Sequence, residues 1–369
     1  MRMRSSPAAF LFLVALGPAS AQDRVDDPAA LIRKATAELL ALQEENGGWA
    51  YEGVYRVDGK IPVAYRAGGT ALVAGALLAS APDDEKTKRA LDRGLAYLIS
   101  LLEDPLLEAS TEDLYDVRVW GHAAVLEHFC RAREAKSLGE RAKAVETWIP
   151  RLVRTLLTEE LPQGGWNYAG RRQPASFVTA PVAQALLCAR GQGYEVPREV
   201  LDRARKVLED ARSDSAAFLY AGQFKEGEAR YTSDQLEGSC ARSAACETTL
   251  RLLGSGSLAA VQGALDAFHA HWGELEKRRK KTGTHEGPYK IAPYYFFYGH
   301  RYAGQAIQML PEAQRARERE RLLKVVMKTR DADGTWNDRV FDRSRAYGTA
   351  MIVMALLGDR APLPPALQK

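Results

Sequence analysis

Two histidines are the residues best suited to move a proton. His122 lies in "DVRVWGHAAVL" and His300 in "FYGHRYAGQ", each directly after an aromatic–glycine pair, Trp120-Gly121 and Tyr298-Gly299. An imidazole titrates near neutrality, so one that faces a cavity can act as acid, base or ligand contact. One that faces a wall satisfies a neighbouring backbone group. The densest aromatic segment, "YKIAPYYFFYGHRY", surrounds His300 and supplies Tyr294, Tyr295, Tyr298 and Tyr302. Aromatics at that density line a pocket for an apolar chain or sugar rings, or else pack a core. The candidate ligand contacts are therefore Asp116, Trp120, His122, Tyr294, Tyr295, Tyr298, His300 and Tyr302, with His122 and His300 also the candidate catalytic groups. Carboxylates that could form a hydrolytic pair, which needs a spacing of about 5–10 Å, are few: Asp116, Glu127, Asp234, Glu237 and Glu247.

These residues must be held by helices. Apolar residues recur with helical period in about twelve runs, and no convincing alternating strand is present. Charged amphipathic runs such as "REVLDRARKVLEDA" alternate with runs rich in small residues such as "FVTAPVAQALLCA". The six resulting pairs recur roughly every 54 to 60 residues, a spacing typical of repeat arrays. Three small-residue runs share the string T-A-x-x-x-x-A-L-L, beginning at Thr70, Thr179 and Thr349. His122 and His300 occupy the threonine position in repeats two and five, and Ser243 fills it in the fourth. In a six-membered ring, repeats two and five stand opposite each other.

Hairpins that bury one face need neighbours on both sides, which an open superhelix or a closed ring supplies. Neither end of the chain shows a polar capping repeat, so the expected fold is all-α, an α/α toroid (α6/α6 barrel) of about six helix hairpins. Charged helices suit its outer wall and small-residue helices its inner wall. Connections from inner to outer helices are short, whereas those from outer to inner are long and aromatic. Long loops on a rigid scaffold commonly carry function, so the mouth is expected on that rim.

The first residues stand apart. "MRMR", "AAFLFLVALG" and "ASA" read as the three regions of a secretory signal peptide cut after Ala21. The expected organisation is a signal peptide at 1–21, one toroid domain at 22–358 and a Pro-rich tail at 359–369. Loss of Arg2 and Arg4 takes the formal charge from +4 to +2, too little to suggest nucleic acid. No later run reads as a membrane span. Of the four cysteines, Cys130 and Cys188 end two apolar runs in similar contexts and could meet; four reduced, buried thiols are the favoured alternative.

A further motif links repeats one, three and six. "LLALQEENGGW", "PQGGW" and "TRDADGTW" each place a tryptophan behind a glycine turn. This idiom resembles the QW motif of squalene and oxidosqualene cyclases, whose superfamily includes protein prenyltransferase β-subunits. Gln43, Gly47 and Trp49 fit it fully. Gln163, Gly164 and Trp166 fit with the glutamine displaced, and Gly334 with Trp336 fit without it. The resemblance implies the toroid, with these residues as structural joints. It also implies chemistry that can be checked. The cyclases' D-x-D-D acid does not occur, and "DADG" at Asp331 ends in Gly334. The prenyltransferases' zinc set is incomplete, since Gly238 replaces the aspartate ahead of Cys240.

The expectation is thus an exported toroid, without metal or cofactor, that binds a hydrophobic, isoprenoid-like ligand in its central cavity. The alternative is a divergent enzyme, either a terpenoid cyclase with a nonstandard acid or a carbohydrate-active lyase or glycoside hydrolase.

Overall fold

The computed structural model describes residues 27–56, 59–108, 117–168, 172–226 and 232–368. The expected signal peptide and Asp116 lie outside them. Twelve α-helices occur among the described residues. In chain order they are α1 (Pro28–Ala41), α2 (Val63–Ser80), α3 (Glu85–Leu102) and α4 (Arg118–Glu134). Next come α5 (Ala142–Thr158), α6 (Ser176–Gly191), α7 (Arg198–Asp210) and α8 (Leu236–Leu252). The last four are α9 (Leu258–Glu276), α10 (Tyr295–Met309), α11 (Glu312–Met327) and α12 (Arg345–Leu356).

Even-numbered helices form the inner wall. Each packs on the next, and α12 packs back onto α2, so the ring is closed. Odd-numbered helices cover it from outside, with α1 seated against both α12 and α2. The sequence pattern explains the division. In α7 only Val200, Leu201, Ala204, Val207 and Leu208 are buried, one stripe of a 3.6-residue period. In α6 nearly every side chain is buried, because both faces meet neighbours. Small residues let the inner backbones crowd. A Cβ on Gly304 would stand 2.5 Å from the Ala355 carbonyl, and one on Gly121 would stand 3.0 Å from that of Ala64. Helix α2 has the length and composition of a membrane span, but it is mostly buried within the ring, which accounts for that composition, so no clear span is present among the described residues.

Repeats one, three and six share one joint. The glycine is left-handed at each (Gly47 φ 90°, Gly164 φ 93°, Gly334 φ 89°), a conformation costly for residues with a Cβ. The tryptophan behind it is buried, and its indole N–H donates to a carbonyl near the end of the preceding outer helix. These bonds run from Trp49 to Leu39 (2.7 Å), Trp166 to Leu156 (2.7 Å) and Trp336 to Val326 (3.0 Å). Each tryptophan's backbone N–H then donates to the inner-helix threonine at 3.0 Å, pairing it with Thr70, Thr179 or Thr349. The Thr70 and Thr179 hydroxyls return a bond to the tryptophan carbonyl at 3.1 and 3.2 Å.

The two glutamines differ. Gln43 donates to the Gly47 and Ala90 carbonyls, both at 2.8 Å, and so ties the turn to α3. Gln163 reaches only across its own exposed loop to the Arg172 carbonyl at 2.5 Å. All four cysteines are buried and unpaired.

Candidate functional site

The threonine position does not face the cavity. Its side chain points into the joint between inner and outer walls, and both histidines there point the same way. His122 Nε2 meets the Leu107 carbonyl at 2.7 Å, and Nδ1 meets the Glu159 carboxylate at 3.1 Å. Burial opposes charge on this imidazole, but the Glu159 carboxylate outweighs it and raises the His122 pKa above its usual value. In the second pair, His300 Nε2 accepts from the Trp272 indole at 3.0 Å, so Nδ1 carries the proton donated to the Phe296 carbonyl at 2.7 Å. Burial pushes the His300 pKa down to about 4, leaving it neutral. Of the two placements open to these histidines, the structure has the wall: both are joints, with every ring nitrogen engaged.

The aromatic candidates fill the barrel axis. Trp120, Tyr298, Tyr302, Tyr347 and Met351 enclose a void of only about 20 Å³. Trp120 packs on Tyr51 and Tyr65 with ring centroids at 5.7 and 6.1 Å. Tyr298 donates to the Phe177 carbonyl at 3.0 Å, and Tyr295 and Tyr302 are 2 % exposed. Tyr294 sits nearer the rim, over Phe177 and beneath the Arg339 guanidinium. The aromatic plug thus separates two concavities at opposite ends of the ring.

Under the long connections lies a cleft of about 600 Å³, lined by Tyr55, Asn167, Gln173, Tyr220, Asp234 and His285 among others. Its one lining carboxylate is committed. Asp234 accepts from the Tyr220 N–H at 2.6 Å and pairs with buried Arg242 at 3.2 Å.

The second cavity opens among the short connections, at the end opposite the one the loop lengths suggest. Its volume is about 510 Å³, within the range of small-molecule sites. Leu72, Leu78, Ala124 and Met354 give it apolar walls, while Glu127, His128, Arg301 and Gln305 bring polar groups to it. Arg301 Nη2 donates to both Glu127 oxygens, at 2.8 and 3.1 Å. Burial alone would raise the Glu127 pKa, yet Arg301 holds it below the usual carboxylate value. Such a buried pair costs about 3–5 kcal/mol when one partner is removed. His128 is 3 % exposed and neither ring nitrogen has a partner. Burial pushes its pKa down to about 4.

The Pro-rich tail closes one side of this cavity. Pro362 accepts from Arg131 on α4 at 2.7 Å, and Leu367 donates to the Leu252 carbonyl at the end of α8 at 2.7 Å. Arg360, Ala361 and Pro362 form part of the lining. Sequence reasoning named Glu127 without placing it, and did not single out His128. The available signal was "LEHF", a charged and a titratable residue in the middle of a small-residue inner helix.

Fold and ring closure define the chain as an α/α toroid. No protein-family model and no curated protein matches it. Solved structures do. A type II terpene cyclase, MstE from Scytonema, in complex with geranylgeranyl dihydroxybenzoate is similar at TM-score 0.54 and 15 % identity, over 92 % of this chain and 98 % of that one. An inactive variant of the α-1,6-mannanase GH76A of Salegentibacter sp. HEL1_6, in complex with α-1,6-mannotetrose, is similar at TM-score 0.56 and 13 % identity, covering 90 % and 99 %. A possible member of the GH105 family from Klebsiella pneumoniae gives 0.56 and 13 %, covering 96 % and 99 %. At these identities the likeness is one of fold.

Proposed function

We propose that this is an exported binding protein that holds an elongated apolar molecule in the cavity beneath its C-terminal tail. One observation carries the reading: a cavity of about 510 Å³ with apolar walls, in which Glu127 and Arg301 pair with each other. Isoprenoid-like chains fit such a space. One of the structural neighbours holds a geranylgeranyl compound in its own site, which supports the ligand class for this fold. The reading gives the protein no chemical step. Among the lining residues of either cavity no two free carboxylates stand together, because Glu127 is held by Arg301, Glu134 by Arg131 and Asp234 by Arg242.

Gly75 allows a direct test. A Cβ added there would meet nothing nearer than His128 Nδ1 at 4.0 Å, so Gly75→Leu can fill the cavity without moving the backbone. Leucine also favours helix over glycine by roughly 0.8–1 kcal/mol. Titration with the neutral fluorophore N-phenyl-1-naphthylamine should show saturable binding to the wild type. The variant should bind at least ten-fold more weakly with an undiminished melting temperature. Equal affinity in the variant would remove the cavity from consideration. Mass analysis of the mature chain tests export, with cleavage expected after Ala21.

A second reading places a sugar ligand in the opposite cleft, where tyrosine rings stand beside the Asn167 and Gln173 amides. Mannooligosaccharide binding that survives Gly75→Leu would favour it.

A further inference from the structure

The polar groups around the apolar cavity specify the head of its ligand, on the reading that the cavity binds an apolar chain. Three groups there are buried without a partner: both His128 nitrogens, Arg301 Nε and Gln305 Oε1. The orientation of the Gln305 amide follows from a chain of bonds. Thr249 donates its hydroxyl proton to the Ala245 carbonyl at 2.7 Å, so it must accept from Gln184 Nε2 at 2.9 Å. Gln184 therefore presents Oε1 to Gln305 Nε2 at 3.1 Å, leaving Gln305 Oε1 unpartnered.

The unmet demands are mixed in kind. Gln305 Oε1 can only accept, Arg301 Nε can only donate, and a neutral imidazole does one of each. A buried polar atom left in this state costs about 1–3 kcal/mol, which a matching ligand recovers. A carboxylate or a phosphate dianion can only accept. It would leave Gln305 unsatisfied and add a negative charge to a space that already holds Glu127. The Arg301 charge offers little compensation, since Glu127 already takes two bonds from it. A hydroxyl both donates and accepts.

We infer that the cavity selects an uncharged amphiphile, a long-chain or isoprenoid alcohol whose hydroxyl is held among the unpartnered groups of His128, Arg301 and Gln305. Burial, which lowers the His128 pKa to about 4, keeps that imidazole neutral at ordinary pH. The tail lies along the apolar side chains of Leu72, Leu78, Ala124 and Met354.

The test is a matched fifteen-carbon series, farnesene, farnesol, farnesoic acid and farnesyl phosphate, competing against N-phenyl-1-naphthylamine. Farnesol should bind at least ten-fold more tightly than the acid and the phosphate. Equal or tighter binding of either anion would overturn the head-group assignment while leaving the apolar reading intact. Failure of all four, farnesene included, would overturn both. Gln305→Met and His128→Leu should each reduce the advantage of farnesol over farnesene to less than three-fold, without weakening farnesene. An undiminished advantage in both variants, with melting temperatures showing them folded, would also overturn the assignment.

Discussion

Repeats one, three and six close the gap between outer and inner walls with a tryptophan and a threonine. Repeats two and five close it with a histidine. The threonine joints are neutral and local: one hydroxyl bridges the backbone of the turn that precedes its helix. The histidine joints reach further, to Glu159 and Leu107 in one case and to Trp272 in the other. A conserved geometric duty can therefore be met by side chains of very different chemistry. A titratable residue in a repeat position reports on the wall before it reports on a site.

The comparison breaks first at the tryptophans. Trp166→Ala removes the indole that spans its joint and should cost about 3–5 kcal/mol in denaturant unfolding. A loss below 1 kcal/mol would mean that the ring is held elsewhere.

Next comes pH. His300 has a folded pKa of about 4 against 6.5 for a free imidazole, so the unfolded chain binds the proton that the folded chain refuses. Stability from this group is present above pH 6.5 and falls by about 3 kcal/mol on descending to pH 4. His300→Thr, which installs the other repeats' residue, should flatten that acid limb. His122, with its pKa raised, acts in the opposite sense. Its contribution is present below pH 6.5 and fades as pH rises through the folded value, so His122→Thr should flatten the alkaline side. Identical pH responses of the two variants would show that the joints are electrostatically alike after all.

Smaller effects sharpen the picture. Thr179→Val leaves the Trp166 N–H without its acceptor and should cost about 1–3 kcal/mol. Gln43→Ala loses two bonds to carbonyls, about 1 kcal/mol, whereas Gln163→Ala at an exposed loop should stay within about 0.5 kcal/mol. Equal costs at the two glutamines would show that the displaced one serves the same role.

The toroid was legible because its signals are local and repeated. The T-A-x-x-x-x-A-L-L strings and the glycine–tryptophan turns are each set by a few adjacent residues, and their repetition required a ring or a spiral. The site was illegible because it depends on helix rotation. His122 and Glu127 are five residues apart, roughly 140° around the helix at 3.6 residues per turn. One therefore meets the outer wall while the other meets the cavity. Loop length points to the cleft at the other end. The long loops pack their aromatics into the axis and shape a polar cleft, and the apolar cavity lies where the chain turns quickly and its tail crosses.

Closure of the ring through α12 and α2 has a kinetic consequence. These helices lie at opposite ends of the chain, so the contact between them is among the most distant in sequence that the fold contains. A nascent chain can pair its hairpins one after another, but until the sixth is made both terminal hairpins expose an uncovered apolar flank. Loops that join distant segments close slowly, and exposed flanks of that kind invite association between chains. Refolding yield should therefore fall with protein concentration more steeply than in a linear array of the same hairpins, whose ends carry polar caps.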